Sequence, residues 1–183
     1  MVLNHPERVE KLVLCSTFSS MARILKFLAR TMIGVYKGRM KTPEKTRDMF
    51  ISQLFTTEFI KENWDKIQEA KKTVFKSVPT YEEFKRQLIA IAKFDSRKRL
   101  KNVDKPVLIM HGKKDSLIKY GASLKIAQLI PYPKLALFDN SAHAVFTQEP
   151  EIVVTTLLEF LAESRKKSAE DKPEFHPIPK IQK

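Results

Sequence analysis

Two short stretches of this 183-residue chain hold side chains that could do chemistry together. In His111-Gly112-Lys113-Lys114-Asp115 a carboxylate follows an imidazole by four positions, directly after the apolar run Val107-Leu108-Ile109-Met110. In Ser141-Ala142-His143-Ala144 a second imidazole follows another apolar run, Leu135-Ala136-Leu137-Phe138. An aspartate and a histidine carried to one edge of a sheet can form a carboxylate-to-imidazole hydrogen bond. Such a bond fixes the tautomer of the ring and stabilises it when it takes a proton. Asp115 and His143 are thus two-thirds of a nucleophilic triad. Cys15, Ser16 and Ser141 are the residues near enough to weigh as the third member. Cys15 belongs to an apolar run and reads as packing. His111 reads as a structural part of its strand-end motif, and His5 and His176 as exposed. No His, Cys, Asp or Glu spacing suggests a metal site, and no cofactor is expected.

The elements that must position these residues follow from the apolar pattern. Continuous apolar runs at 12–15, 107–110 and 135–138 read as buried strands, with helices expected at 121–130 and 150–164. Residues 1–8 read as the end of a helix closed by Pro6. From Met21 to Lys93 the spacing turns helical. The apolar sets are Ile24 to Ile33, then Phe50, Ile51, Leu54 and Phe55, then Trp64, Ile67, Val74, Phe75 and Val78. Phe84, Leu88, Ile89, Ile91 and Ala92 form the last set, entered through Thr80 with Glu83 in capping-box position. Strands alternating with helices predict an α/β fold, a parallel sheet covered by helices on both faces. The expected organisation is a core of 1–20 and 94–164, a helical insertion at 21–93 and a basic, flexible tail at 165–183.

An apolar share of 43% and a charged share of 30% suit one soluble globular domain. No apolar run approaches the roughly 20 residues that span a bilayer. The first residues, MVLNHPERVE, lack the build of a secretory signal. With a single cysteine, this points to a cytoplasmic protein without disulfides. The net charge of +13 falls mostly between residues 21 and 105. There lysines alternate with glutamates and core residues, as on solvated helix faces, so a nucleic-acid partner is not expected.

The segment from Pro106 to Leu161, with its strand plus H-G-x-x-D, its strand plus S-H-A-like turn and the following Q-E-P-E, resembles the C-terminal part of the α/β-hydrolase superfamily. It is most similar to the small esterase, lactonase and carbon–carbon hydrolase branch. The opening HPERVEKLVLCST is similar to that family's strand after the nucleophile helix, and 21–93 occupies the place of its lid. The resemblance covers residues 1–164. It implies a partial α/β-hydrolase fold: the last three parallel strands, flanking helices and a helical lid. It implies Asp115 as triad acid and His143 as general base, and Ala142 stands where the family usually has glycine. It also implies a small ester-like substrate, with lid aromatics (Phe27, Phe50, Phe55, Phe59, Trp64, Phe75) either lining an acyl pocket or packing the core.

The family's nucleophile sits on a G-x-S-x-G elbow. None of the four glycines, Gly34, Gly38, Gly112 and Gly121, frames a serine in that way. The expectation is therefore a chain that supplies acid and base, is inactive alone, and is completed by an upstream half. Its first strand, Leu12–Cys15, is expected to be an open edge that pairs with that half or a second copy. The alternatives are a non-catalytic remnant that acts by binding, or a basic module acting through the lid region.

Overall fold

The computed structural model describes residues 1–21, 43–73 and 79–163. In chain order, a 3-10 turn at Pro6–Arg8 precedes strand β1 (Leu12–Cys15). Helices α1 (Pro43–Leu54), α2 (Thr57–Glu62), α3 (Trp64–Thr73), α4 (Tyr81–Lys93) and α5 (Arg97–Leu100) follow. Then come β2 (Val107–Gly112), α6 (Gly121–Ala127), β3 (Pro133–Phe138), α7 (Val145–Gln148) and α8 (Pro150–Ala162). These elements divide into two compact units. Met1–Phe18 joins the chain from Arg97 onward in one, and Ser19–Ser96 forms the other.

The first unit is built on a parallel sheet in the order β1-β2-β3. Its register pairs Leu12 with Val107 and Cys15 with Met110 on one side of β2, and Val107 with Pro133 and Gly112 with Phe138 on the other. All six residues of β2 are buried. Its alternating side chains feed two separate cores, as the period-2 pleat requires. Val107 and Ile109 pack with Leu100, Val103, Ile126 and Ile130. Leu108 and Met110 pack with Phe138, Val145, Val153 and Phe160. A central strand apolar on both faces is what a parallel sheet clad by helices needs.

The structure corrects the expectations for two elements here. All four residues of β1 are only half-buried, because among the described strands it pairs with β2 alone. Pro6 opens a 3-10 turn where the sequence reading has it closing a helix. A first-turn N–H has no helical partner to lose, which is why proline fits there. Just before β1, the Lys11 ammonium donates to the carbonyls of Phe160 (2.8 Å), Leu161 (2.6 Å) and Glu163 (2.7 Å). A cation is thereby set against the unsatisfied carbonyl end of α8, where the helix dipole favours positive charge.

In the second unit the two chain ends meet. Ser20 and Asp95 form an isolated antiparallel bridge, and the Ser96 N–H donates to the Ser19 carbonyl at 2.8 Å. Local capping sets the helix starts. The Thr56 hydroxyl accepts from the Phe59 N–H at the head of α2. At α4 the Glu83 carboxylate accepts from the Thr80 N–H (2.8 Å), while the Thr80 hydroxyl accepts from the Glu83 N–H (3.3 Å), the expected capping box. Ile51, Phe55 and Ile67 are buried, and the Phe55 and Phe59 rings stack at 5.3 Å. Trp64, Ile89 and Ile91, assigned to apolar helix faces from spacing, are exposed. The ammonium of Lys71 sits 5.4 Å above the Trp64 ring. The expected set Ile24 to Ile33, with Phe27, Val74, Phe75, Val78 and the tail 165–183, lies outside the described residues. No helix among the described residues is long and apolar enough to cross a membrane.

Candidate functional site

The site grows from the carboxyl ends of β2 and β3, where a parallel sheet leaves room between diverging loops. Beyond Gly112 the chain folds back on itself. The Lys113 N–H donates to Phe138 O (2.8 Å), the Lys114 N–H to Ser141 O (3.0 Å) and the Asp115 N–H to Gly112 O (3.1 Å). The two strand-end loops touch backbone to backbone at Gly112. A Cβ there would lie 2.1 Å from Ala142 O and 2.2 Å from Ser141 O, so no side chain fits. The glycine of the H-G-x-x-D motif is thus a requirement of this close approach.

Asp115 is fully buried and fully partnered. Its Oδ1 accepts from the N–H groups of Leu117 and Ile118, both at 2.8 Å. Its Oδ2 accepts from His143 Nδ1 at 2.8 Å and from His111 Nε2 at 3.1 Å. Burial opposes ionisation of this carboxyl, but the bonds from His111, His143 and the Ile118 N–H outweigh it. They hold the group well below the usual carboxylate range. A carboxylate that accepts from His143 Nδ1 leaves Nε2 of that ring as the site that can take a proton.

The loop that carries His143 is pinned from three directions. The Ala142 N–H donates to Gln148 Oε1 at 2.9 Å, and the Ser141 hydroxyl donates to the Glu149 carboxylate. The Q-E-P-E run therefore works by holding the histidine loop, while Pro150 begins α8. From β1, the Ser16 hydroxyl donates to the carbonyl of His143 itself at 2.7 Å. Ser16 has φ 45°, a left-handed conformation that a non-glycine residue adopts at some cost. The His143 side chain keeps 23% of its surface exposed while that of Asp115 keeps none. The buried end of the pair is closed and the basic end is open.

The other nucleophile candidates are engaged elsewhere. Ser16 spends its hydroxyl proton on a backbone carbonyl and Ser141 spends its own on Glu149. Burial pushes the Cys15 thiol up, with the Asp115 charge adding to it against a Ser16 hydrogen bond. A thiol held protonated is a poor nucleophile. Sequence reasoning brought together Asp115 and His143 but gave no role to Ser16, Glu149 or Gln148 as loop anchors, and set His111 aside as structural. The spacing of H-G-x-x-D was the available signal: His111 and Asp115 are bonded directly.

A family model described as the alpha/beta hydrolase fold matches residues 1–150. The chain belongs to the α/β-hydrolase family. Its three parallel strands with flanking helices are part of that fold. RutD of Agrobacterium fabrum is 41% identical over 76 residues, covering 42% of this chain and 29% of RutD. The pimeloyl-(acyl-carrier protein) methyl ester esterase of Vibrio cholerae is 33% identical over 73 residues, 40% of this chain and 29% of that protein. The solved structure of MGS-M2, an α/β-hydrolase enzyme from a deep-sea metagenome library, matches with TM-score 0.75 at 17% identity, over 90% of this chain and 60% of that one. The enol-lactonase of Burkholderia xenovorans matches with TM-score 0.72 at 17% identity, over 88% and 60%. These two structures establish the α/β-hydrolase fold alone. The chain spans less than a third of the two sequence relatives in these alignments and about three-fifths of the solved structures.

Proposed function

We propose that this α/β-hydrolase chain supplies the acid and the base of a serine-hydrolase reaction on small ester-like substrates. The observation that carries the reading is the 2.8 Å bond from His143 Nδ1 to the buried Asp115 carboxylate, with the imidazole partly open to solvent. The nucleophile and the oxyanion donors come from outside residues 1–183, as an upstream segment or a second polypeptide, and the chain alone is inactive. In the completed site a serine hydroxyl attacks the ester carbonyl and His143 Nε2 takes its proton. Asp115 stabilises the imidazolium, which then protonates the departing alkoxide. Water deprotonated by the same nitrogen releases the acyl group and regenerates serine. The name of the Vibrio cholerae relative, a methyl ester esterase, supports an ester as the substrate class.

In this reading residues 21–93 act as the lid. The open side of β1 receives the completing half or a second copy, and the protein works in the cytoplasm. Co-expression of residues 1–183 with the nucleophile-bearing half of an esterase relative, assayed on p-nitrophenyl butyrate, tests the reading. Activity is expected, and His143→Ala should lower it by about 10⁴-fold or more. A reconstituted enzyme indifferent to that substitution would overturn the assignment. If no activity appears with a folded, associated pair, the chain acts by binding instead.

A further inference from the structure

The second imidazole on Asp115 has no part in the reaction above, yet it is the more thoroughly held of the two. His111 is fully buried at the end of β2. Its Nε2 lies 2.7 Å from the Ile118 carbonyl and 3.1 Å from Asp115 Oδ2. Both partners are acceptors, so this nitrogen carries a proton and shares it between them. Its Nδ1 lies 2.7 Å from the hydroxyl of Ser123, itself fully buried on α6. With Nε2 protonated, Nδ1 accepts and the hydroxyl donates. Ring plane and tautomer are therefore fixed at both nitrogens, and one of the groups that fix them, Asp115 Oδ2, is also the acceptor of His143 Nδ1.

We infer that His111 is a positioning residue that tunes the acid–base pair: it takes a share of the Asp115 oxygen used by His143, and so restrains the basicity of His143. The inference rests on the proposed Asp115–His143 pairing and deepens it. Each donor to Oδ2 draws charge from that oxygen, so a second donor weakens its hold on the first. The unequal distances set the balance. His111 gives the closer contact to Ile118 O and the longer one to the carboxylate, leaving His143 the shorter bond to that oxygen, 2.8 Å. Asp115 is thus kept ionised and fixed in orientation without being fully claimed by the general base. The titratable groups facing the carboxylate are His111, His143 and, from β1, Cys15. The Ser123 hydroxyl faces His111 from α6.

The test is an NMR titration of the histidine rings in the 183-residue chain, with His143 assigned by its absence in His143→Ala. His111→Phe removes the competing donor. The His143 midpoint is then expected to move up by about half a pH unit or more, and its Nδ1 proton to move downfield. His111→Gln, which can present an N–H near the place of Nε2, should bring both signals back toward wild type. Ser123→Ala should shift them in the same direction as His111→Phe but less. A folded His111→Phe chain with both signals unmoved overturns the inference, as does a Gln variant shifted as far as the Phe variant. If His111→Phe does not melt cooperatively, Ser123→Ala decides, and unmoved signals there overturn it. Asp115→Asn separates this inference from the pairing beneath it. If Asp115→Asn leaves the His143 signals unchanged, the pairing itself fails. If it moves them and His111→Phe does not, only the tuning role fails.

Discussion

The two units of this chain differ in how deeply their most connected polar side chains are buried. In the sheet unit, His111, Asp115, Ser123 and Ser141 are fully buried, and each is hydrogen-bonded within the same loop cluster. In the Ser19–Ser96 unit, the ion pairs Lys72–Glu69 and Lys85–Glu82 lie on the surface, each within one helix at three-residue spacing. A buried network is costly to interrupt, because every orphaned donor or acceptor has lost its water as well as its partner. A surface pair trades one solvated state for another and contributes little. The sheet unit can therefore hold an acid–base pair to tight geometry. The helical unit gains stability from local caps and a small core, Ile51, Phe55 and Ile67 among its described residues.

This contrast can be broken from the buried side first. Asp115→Ala leaves the N–H groups of Leu117 and Ile118 and His143 Nδ1 without their acceptor, and His111 Nε2 with the Ile118 carbonyl in place of a shared bond. It should cost about 3–5 kcal/mol in urea unfolding. Next comes Gly112→Ala, whose methyl group would meet two backbone oxygens of the histidine loop. It should cost about 2–3 kcal/mol and displace His143, read as a loss of its downfield Nδ1 proton.

Acid titration sharpens the same comparison. The Asp115 carboxyl is held below its unfolded value, near 3.9 for an aspartate. Its contribution to stability is therefore complete above that value and is lost as the pH falls below it toward the folded-state value. Urea melts between about pH 5 and pH 2 should show a steeper loss for the wild-type chain than for Asp115→Asn. Glu83 is also held low, first by the Thr80 N–H, but it is exposed and Glu83→Gln should leave the acid limb almost unchanged. A smaller loss of stability than at Asp115 or Gly112 is expected from Thr80→Ala, about 1 kcal/mol, read as fraying of α4 by hydrogen exchange. A loss as large as that of Asp115→Ala would erase the distinction between the units.

What was legible in the chain was legible because it is local. The Thr80–Glu83 box spans three residues, the continuous apolar run of β2 announces a strand buried on both faces, and Asp115 and His143 each sit directly after such a run. Helix spacing misled at Trp64, Ile89 and Ile91, since periodicity says which residues share a face and not whether anything covers it. Ser16 illustrates a different gap: a residue weighed only as a reactive group is a strained anchor for a loop far along the chain.

Residue order alone determined the family, the parallel strands and the choice of Asp115 and His143 as candidates, because each rests on side chains a few positions apart. Tertiary structure decided how that pair is held. Ser16 reaches the His143 carbonyl across 127 positions, and Ser123 on α6 orients the ring of His111. The backbone of the Ser141–Ala142 loop makes Gly112 indispensable. Hydrogen bonds and steric contacts act over a few ångströms of space, and sequence separation carries no information about distances of that kind once the chain has folded.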